Sequence, residues 1–264
     1  MTNRLYLLLA IPFAIACEPK LVAGTWDCPN VASADAGTDP ALDPDRTQVE
    51  TPWSSGFEDG FCGFKRVGGF CYQTGADTYT AVTSPVHSGT QAAEFKIMAM
   101  LPGGQARCVR RGQLPTAAYY GAWYYIPVAP TELDNWNLFH FQSGDDDMVD
   151  FHGTWDVTIT PDDNGTLRLS IYDFLSNNGL GSWHHSPTAV PFGAWFHIQV
   201  YLKRATDATG AFALYQDGKL AVDLQDLVTD DSIYGQWYVG NLARNLTPPE
   251  STLYVDDVSI SDTL

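Results

Sequence analysis

The sequence predicts an all-β protein, a two-sheet antiparallel β-sandwich, and three features of the chain lead there. From Trp53 onward, short runs of β-branched and aromatic residues alternate apolar with polar side chains, the period-two pattern of half-buried strands. Gly, Pro, Asn and Asp separate these runs, and Asp162-Asp163-Asn164-Gly165 and Gln216-Asp217-Gly218-Lys219 are strong hairpin turns. No stretch carries a sustained helical apolar stripe, and no internal repeat of fixed period appears. Roughly a dozen strands in some 210 residues is too many for a small barrel, so two packed sheets fit better.

The chain has 264 residues, with 14 basic and 31 acidic side chains and a net charge of −17. A hydrophobic fraction of 45%, with 8 Trp and 13 Tyr, excludes disorder of the whole chain. The charge opposes binding to nucleic acid, or to anionic lipid through a long-range field.

Residues 1–17, MTNRLYLLLAIPFAIAC, carry one Arg, an apolar run interrupted by Pro12, and small residues before Cys17. The run is too short to span a bilayer and reads as a secretory signal. Ala14-Ile15-Ala16-Cys17 resembles a bacterial lipobox, although Leu is more usual where Ala14 stands. That resemblance implies cleavage before Cys17 and lipidation of it; an ordinary signal peptide is the alternative. Glu18 does not match the Asp-based inner-membrane retention signal, so an outer-membrane or cell-surface lipoprotein is expected, attached to membrane only through its lipid. Residues 18–52 are rich in Ala, Asp, Pro and Thr without periodicity, and read as an acidic tether. Seven acids against two bases give the tether −5; removing this and the +1 of residues 1–17 from −17 leaves −13 for the domain, residues 53–264.

Within that domain, strands are predicted at 119–128, 137–143, 154–160, 166–174, 195–204, 210–224 (as a hairpin) and 252–261. Alternation assigns their faces. Phe196, Ile198, Val200 and Leu202 oppose His197, Gln199 and Tyr201; Phe139 and Phe141 oppose His140 and Gln142; Leu167, Leu169 and Ile171 oppose Arg168, Ser170 and Tyr172. Each strand therefore offers a core face and a polar-aromatic face. With Cys17 set aside, Cys28, Cys62, Cys71 and Cys108 form an even set in an exported chain, which predicts two disulfides rather than a zinc site. Proximity in sequence favours Cys62–Cys71, leaving Cys28 for Cys108.

Several segments together resemble the concanavalin A-like jelly rolls, which include laminin-G-like domains and polysaccharide lyases of the heparin lyase I and alginate lyase type. SSGFEDG and SPVHSGTQAAEFKI resemble the first strands of such domains, VPFGAWFHIQVYLKR followed by GAFALYQDGKL a central stretch, and LYVDDVSIS the last strand, which pairs beside the first. The resemblance covers roughly residues 55–262 and implies the fold more than a function.

The lyases carry Gln and His at alternate positions on one strand; here His140 and Gln142 stand in that relation, in reversed order. An uncharged amide can hold a uronate carboxyl while an imidazole removes the acidic C5 proton. Arg107, Arg110 and Arg111 fall where the lyases place a substrate-binding Arg, suited to carboxylate or sulfate. The resemblance implies Arg111 as part of the catalytic set and Arg110 as a glycan ligand. WYVGNLARN (237–245) supplies Gly240 of the lyases' C-terminal strand pattern but lacks its Lys, and no Tyr follows; Tyr172, Tyr201 and Tyr215 are the candidate substitutes. The carboxylate set of the bacterial glucanases of this fold is absent.

Trp136, Trp155, Trp183 and Trp237 are expected at strand ends or loops, where flat rings stack on sugars; Trp136, Trp183 and Tyr172 are the chosen glycan ligands. Glu58 and Asp59, with Asp256 and Asp257, would lie on neighbouring first and last strands, where hard oxygens suit a structural Ca²⁺ held by Glu58 and Asp256. Two functions remain open: a polysaccharide-recognising domain at the cell surface, and a lyase cleaving a uronate-containing glycan by β-elimination.

Overall fold

The computed structural model describes Cys28, Val49 and residues 51–65, 69–100, 102–144, 151–176, 181–230, 232 and 234–264. Cys17, the signal segment and nearly all of the 18–52 tether lie outside the described residues. Along the chain run β1 (Trp53–Ser55), α1 (Cys62–Lys65), β2 (Phe70–Gln73), β3 (Thr78–Val82), β4 (Ala92–Met98) and β5 (Gly104–Gly112). β6 (Ala117–Tyr125), β7 (Asn135–Gly144), β8 (Phe151–Pro161), β9 (Leu167–Asp173) and β10 (Ser182–Ala189) follow. The last five are β11 (Trp195–Lys203), β12 (Gly210–Gln216), β13 (Lys219–Leu227), β14 (Tyr234–Arg244) and β15 (Glu250–Ser261).

These strands build two antiparallel sheets. One has seven strands in the order β10-β9-β8-β7-β14-β5-β2; the other has eight, ordered β13-β12-β11-β6-β15-β4-β3, with β1 also on β15. The last strand thus lies beside the first, as the sequence predicts. The turn between β12 and β13 has positive φ at both Asp217 and Gly218, the backbone whose twist matches that of the strands it joins.

Between the sheets lies a continuous apolar core. Phe196, Ile198, Val200 and Leu202 are all at most 2% exposed, facing Phe139, Phe141, Leu169 and Ile171. Aromatic packing crosses the middle: Trp155 stacks on Phe212 at 4.6 Å, and Tyr120 meets Phe141 edge-on at 5.1 Å. Each such pair adds about 0.5–1.5 kcal/mol beyond the area it buries.

The disulfide pairing differs from the sequence-based expectation. Cys28 bonds Cys62, and Cys71 bonds Cys108. The reason is register: β2 pairs with β5 so that Cys71 stands directly opposite Cys108, both pointing into the core, while Cys62 opens α1. A cross-strand neighbour outcompetes a sequence neighbour whose side chain points elsewhere.

Candidate active site

The outward positions of the seven-stranded sheet gather the polar side chains that the sequence singles out. β7 and β14 pair so that His140 lies opposite Tyr238 and Gln142 opposite Gln236. β8 sets Asp156 beside His140, and β5 sets Arg111 beside Gln236. Directly paired antiparallel residues share a face, so this register brings His140, Gln142, Asp156, Arg111, Gln236 and Tyr238 to one surface.

Hydrogen bonds fix the set. Asp156 Oδ1 lies 2.5 Å from His140 Nδ1, which engages that nitrogen and leaves Nε2 as the reactive edge of the ring. The Tyr238 hydroxyl donates to Gln142 Oε1 at 2.8 Å and also reaches Gln236 Oε1. With its oxygen engaged, the Gln142 amide keeps its NH₂ for an anion. Burial drives the Tyr238 phenol far above its ordinary value, while the Arg107 and Arg111 charges pull the other way. The Arg107 guanidinium lies 5.4 Å from the Tyr238 ring centre, donates to Asn137 Oδ1 at 2.6 Å, and opposes the burial that raises the Tyr72 phenol. Arg107 is 4% exposed, a cation set under the tyrosines.

Two glycines make room. A Cβ on Gly153 would come within 3.1 Å of His140 Cε1, so the imidazole occupies space that another residue would take. Gly240 has φ +138°, and a Cβ there would fall 2.6 Å from the Ala106 carbonyl oxygen. Its neighbourhood is irregular in both strands: β14 shifts register between Val239 and Leu242, and β7 between Asn137 and Phe139. Tyr124, reaching across the core from β6, repairs the break. Its hydroxyl accepts from Gly240 N–H at 3.2 Å and donates to the Leu138 carbonyl at 2.9 Å.

On the β9–β10 side the surface is aromatic. Tyr172 lies 4.5 Å from Trp183 and 4.6 Å from Phe174, whose ring also borders His140. Trp183 is 45% exposed, the solvent-facing tryptophan that sugar stacking requires.

Other expectations need correction. Trp136 is 2% exposed, with Nε1 donating to Asn241 Oδ1; Trp155 and Trp237 are buried too. All three fall on inward positions of their strands. Arg110 is 1% exposed, stands opposite Trp237, and lies over the Trp53 ring, donating to the Phe64 carbonyl. Alternation explains this, because neighbours in a strand point oppositely: Arg107 and Arg111 go outward, Arg110 inward. Tyr201 and Tyr215 lie on the other sheet. Tyr238, absent from the sequence-based list of tyrosines, is the one beside His140. Its signal was present in QWYVG, where Tyr238 has the parity of Gln236 and opposes apolar Trp237 and Val239.

Glu58 and Asp256 both accept hydrogen bonds from the 87–91 loop. Glu58 accepts from Thr90 N–H, Thr90 Oγ1 and Gln91 N–H, which hold its carboxyl below the usual range, and Asp256 accepts from His87 and Ser88 N–H. Among the described residues no group of three or more His, Cys, Asp or Glu is placed to hold a metal ion. His184 is half-buried and His185 exposed on β10, and Asp145, Asp146 and Asp147 lie outside the described residues.

This two-sheet antiparallel sandwich is similar in fold to the jelly rolls of solved polysaccharide lyases. One such structure is an endo-β-1,4-glucuronan lyase from the fungus Trichoderma reesei, 18% identical over 74% of this chain and 90% of its own, with a TM-score of 0.58. Another is an alginate lyase variant in complex with an alginate trisaccharide, 11% identical over 82% of this chain and 100% of its own, TM-score 0.56. A third is an alginate lyase from Aplysia kurodai, 12% identical over 80% and 99%, TM-score 0.54. At these identities the likeness is one of fold. No family model matches the chain, and no curated protein matches it in sequence.

Proposed function

We propose that this protein is a polysaccharide lyase that cleaves a uronate-containing glycan by β-elimination. The observation that carries the reading is the juxtaposition of His140, held by Asp156, with Gln142 and the Tyr238 hydroxyl on adjacent strands, beside Arg111. Each group has a role that its environment fits. The Gln142 NH₂ and the Arg111 guanidinium receive the uronate carboxylate, withdrawing charge so that the C5 proton becomes acidic. His140 Nε2 takes that proton. The released electron pair forms the C4–C5 double bond as the C4–O4 bond breaks, and Tyr238 gives its proton to the departing oxygen. A phenol carries its proton at neutral pH, and burial raises this one further from ionisation. Trp183 and Tyr172 extend the surface for a neighbouring sugar ring. The fold shared with solved glucuronan and alginate lyases supports the reading.

Uronate polymers such as alginate and polyglucuronate, incubated with the protein, should yield unsaturated chain ends that absorb in the ultraviolet. Replacing His140 with Ala should reduce the rate by about 10²–10⁴-fold, the usual contribution of a positioned acid or base. Undiminished product from His140→Ala would remove the mechanism. Glycan retention without unsaturated ends would leave surface recognition as the function. We also propose anchoring through Cys17, supported by Ala14-Ile15-Ala16-Cys17; Cys17→Ser should then shift the protein from the membrane fraction to the soluble one.

A further inference from the structure

The outward positions of the other sheet have a different composition. On β11, β6 and β15 they carry Trp195, His197, Tyr201, Tyr119, Trp123, Tyr125 and Tyr254, with Tyr215 on β12. All eight rings are half-buried, so each keeps a solvent-facing part while packing on its neighbours. Solvated sheet faces ordinarily carry small polar and charged residues, and a continuous aromatic band of this size marks an interaction surface.

We infer that the outer face of the eight-stranded sheet is a second, non-catalytic glycan-binding surface that takes an uncharged polysaccharide. Register arranges the rings in rows across the strands. Tyr201 is opposite Tyr119, His197 opposite Trp123, and Trp195 opposite Tyr125, which is opposite Tyr254. Centroid spacings along these rows are 5.0, 5.1, 5.7 and 6.0 Å. They follow the strand spacing of about 4.8 Å, a step comparable to one pyranose unit, so a chain lying across the strands meets ring after ring. Gly121 and Gln199 pair between two of the rows. The His197 ring and the Ser259 hydroxyl pack into the space that a side chain at Gly121 would take, where a Cβ would lie 3.1 Å from each. Phenol, imidazole and amide groups supply hydrogen bonds around apolar ring faces, the mixture a sugar requires.

Charge selects the occupant. Asp223 lies beside Tyr215, Glu94 beside Tyr254, and Asp257 holds His87, which stacks on Trp123 at 3.8 Å. Of the bases on this face, Lys96 pairs with Glu250 at 2.9 Å, and Lys203 sits at the end of β11. A polyanion would meet these acids, and a second copy packed face to face would set them against one another. A neutral glycan incurs neither cost. The face lies on the far side of the sandwich from His140, so a polymer held there leaves the site on the seven-stranded sheet open.

The test is co-sedimentation of the His140→Ala protein with insoluble cellulose, xylan and β-1,3-glucan, with alginate gel as the polyanion. Retention is expected on at least one neutral glycan, insensitive to salt, and about tenfold weaker for each of Tyr201→Ala and Trp195→Ala. Unchanged thermal melting would show that those variants fold, and Tyr201→Gln is the substitute where Ala unfolds the chain. Retention on no neutral glycan overturns the inference, as does retention on alginate alone, which places binding on the seven-stranded sheet. A dimer in sedimentation velocity that Tyr201→Ala dissolves would assign the face to self-association and overturn it too. Because His140 is already replaced, none of these outcomes depends on lyase activity.

Discussion

The two outer faces of the sandwich are made by the same rule and put to different use. On both, every second side chain of a strand points to solvent. On the seven-stranded sheet these positions hold Arg, Gln, His, Asp and Tyr, locked by hydrogen bonds such as His140 to Asp156 and Tyr238 to Gln142. On the eight-stranded sheet they hold rings in mutual contact, Tyr119 with Tyr201 and Trp123 with His197. Fixed polar atoms prepare a site for charge that develops during a reaction, whereas a flat aromatic face binds without directing a proton. Tyrosine shows the contrast best. Burial raises the Tyr238 phenol beside a histidine, while Tyr201 packs its ring on that of Tyr119 at 5.0 Å.

Removing one hydroxyl from each face is the sharpest way to break this comparison. Tyr238→Phe should lower the lyase rate by about 10²–10⁴-fold, because the ring stays and the proton is lost. Tyr201→Phe, measured in the same assay, should leave the rate unchanged. Equal losses would show that the faces are not functionally distinct.

Next in size is the disulfide of the edge strand. β2 carries Tyr72 to the margin of the seven-stranded sheet and is only four residues long, so it depends on the Cys71–Cys108 bond to stay on β5. Replacing both cysteines with Ser should cost about 2–4 kcal/mol in denaturant melts. Glycan retention by the other face, measured below the new midpoint, should survive. Tyr124→Phe comes third. It leaves Gly240 N–H and the Leu138 carbonyl without their buried partner, at a cost of about 1–3 kcal/mol. Since both groups underlie Tyr238 and His140, kcat should fall as well, while neutral-glycan retention should not.

Much of this was legible in the sequence because period two is a local property. The alternation in NLFHFQS is enough to place His140 and Gln142 outward, and the parity of WFHIQVYLKR is enough to place His197, Gln199 and Tyr201 on one face. Register was not legible. Which strand lies beside β7 depends on long-range pairing, so Tyr238 and Asp156 could not be tied to His140, and Cys108 could not be tied to Cys71. Arg110 and Trp136 were misplaced for a different reason. Arg110 shares the inward parity of Cys108 and lies over Trp53 despite its charge. Trp136 shares the outward parity of His140 and is turned inward, where its indole N–H finds Asn241, by the register shift between Asn137 and Phe139. Parity outranks residue type for Arg110, and a register shift overrides parity for Trp136.

The smallest expected effect tests whether the aromatic face is held together by uncharged rings. His197 stacks on Trp123, as does His87, and Asp217 and Asp257 lie nearby. Burial, aided by the His87 charge, lowers the His197 pKa below its ordinary 6.5, while the two aspartates act in the opposite direction. The unfolded chain therefore takes up this proton at a higher pH than the folded one. Its contribution to stability is complete above pH 6.5 and declines as the pH falls from there toward the lowered folded value. His197→Phe keeps a ring on Trp123 and removes the titration. Melting of the two proteins between about pH 8 and 5 should show the wild type losing stability relative to the variant on acidification, by at most about 1.4 kcal/mol per pH unit. A gap that stays constant across that range would mean that the imidazole charges without penalty, and that this face tolerates a cation among its rings.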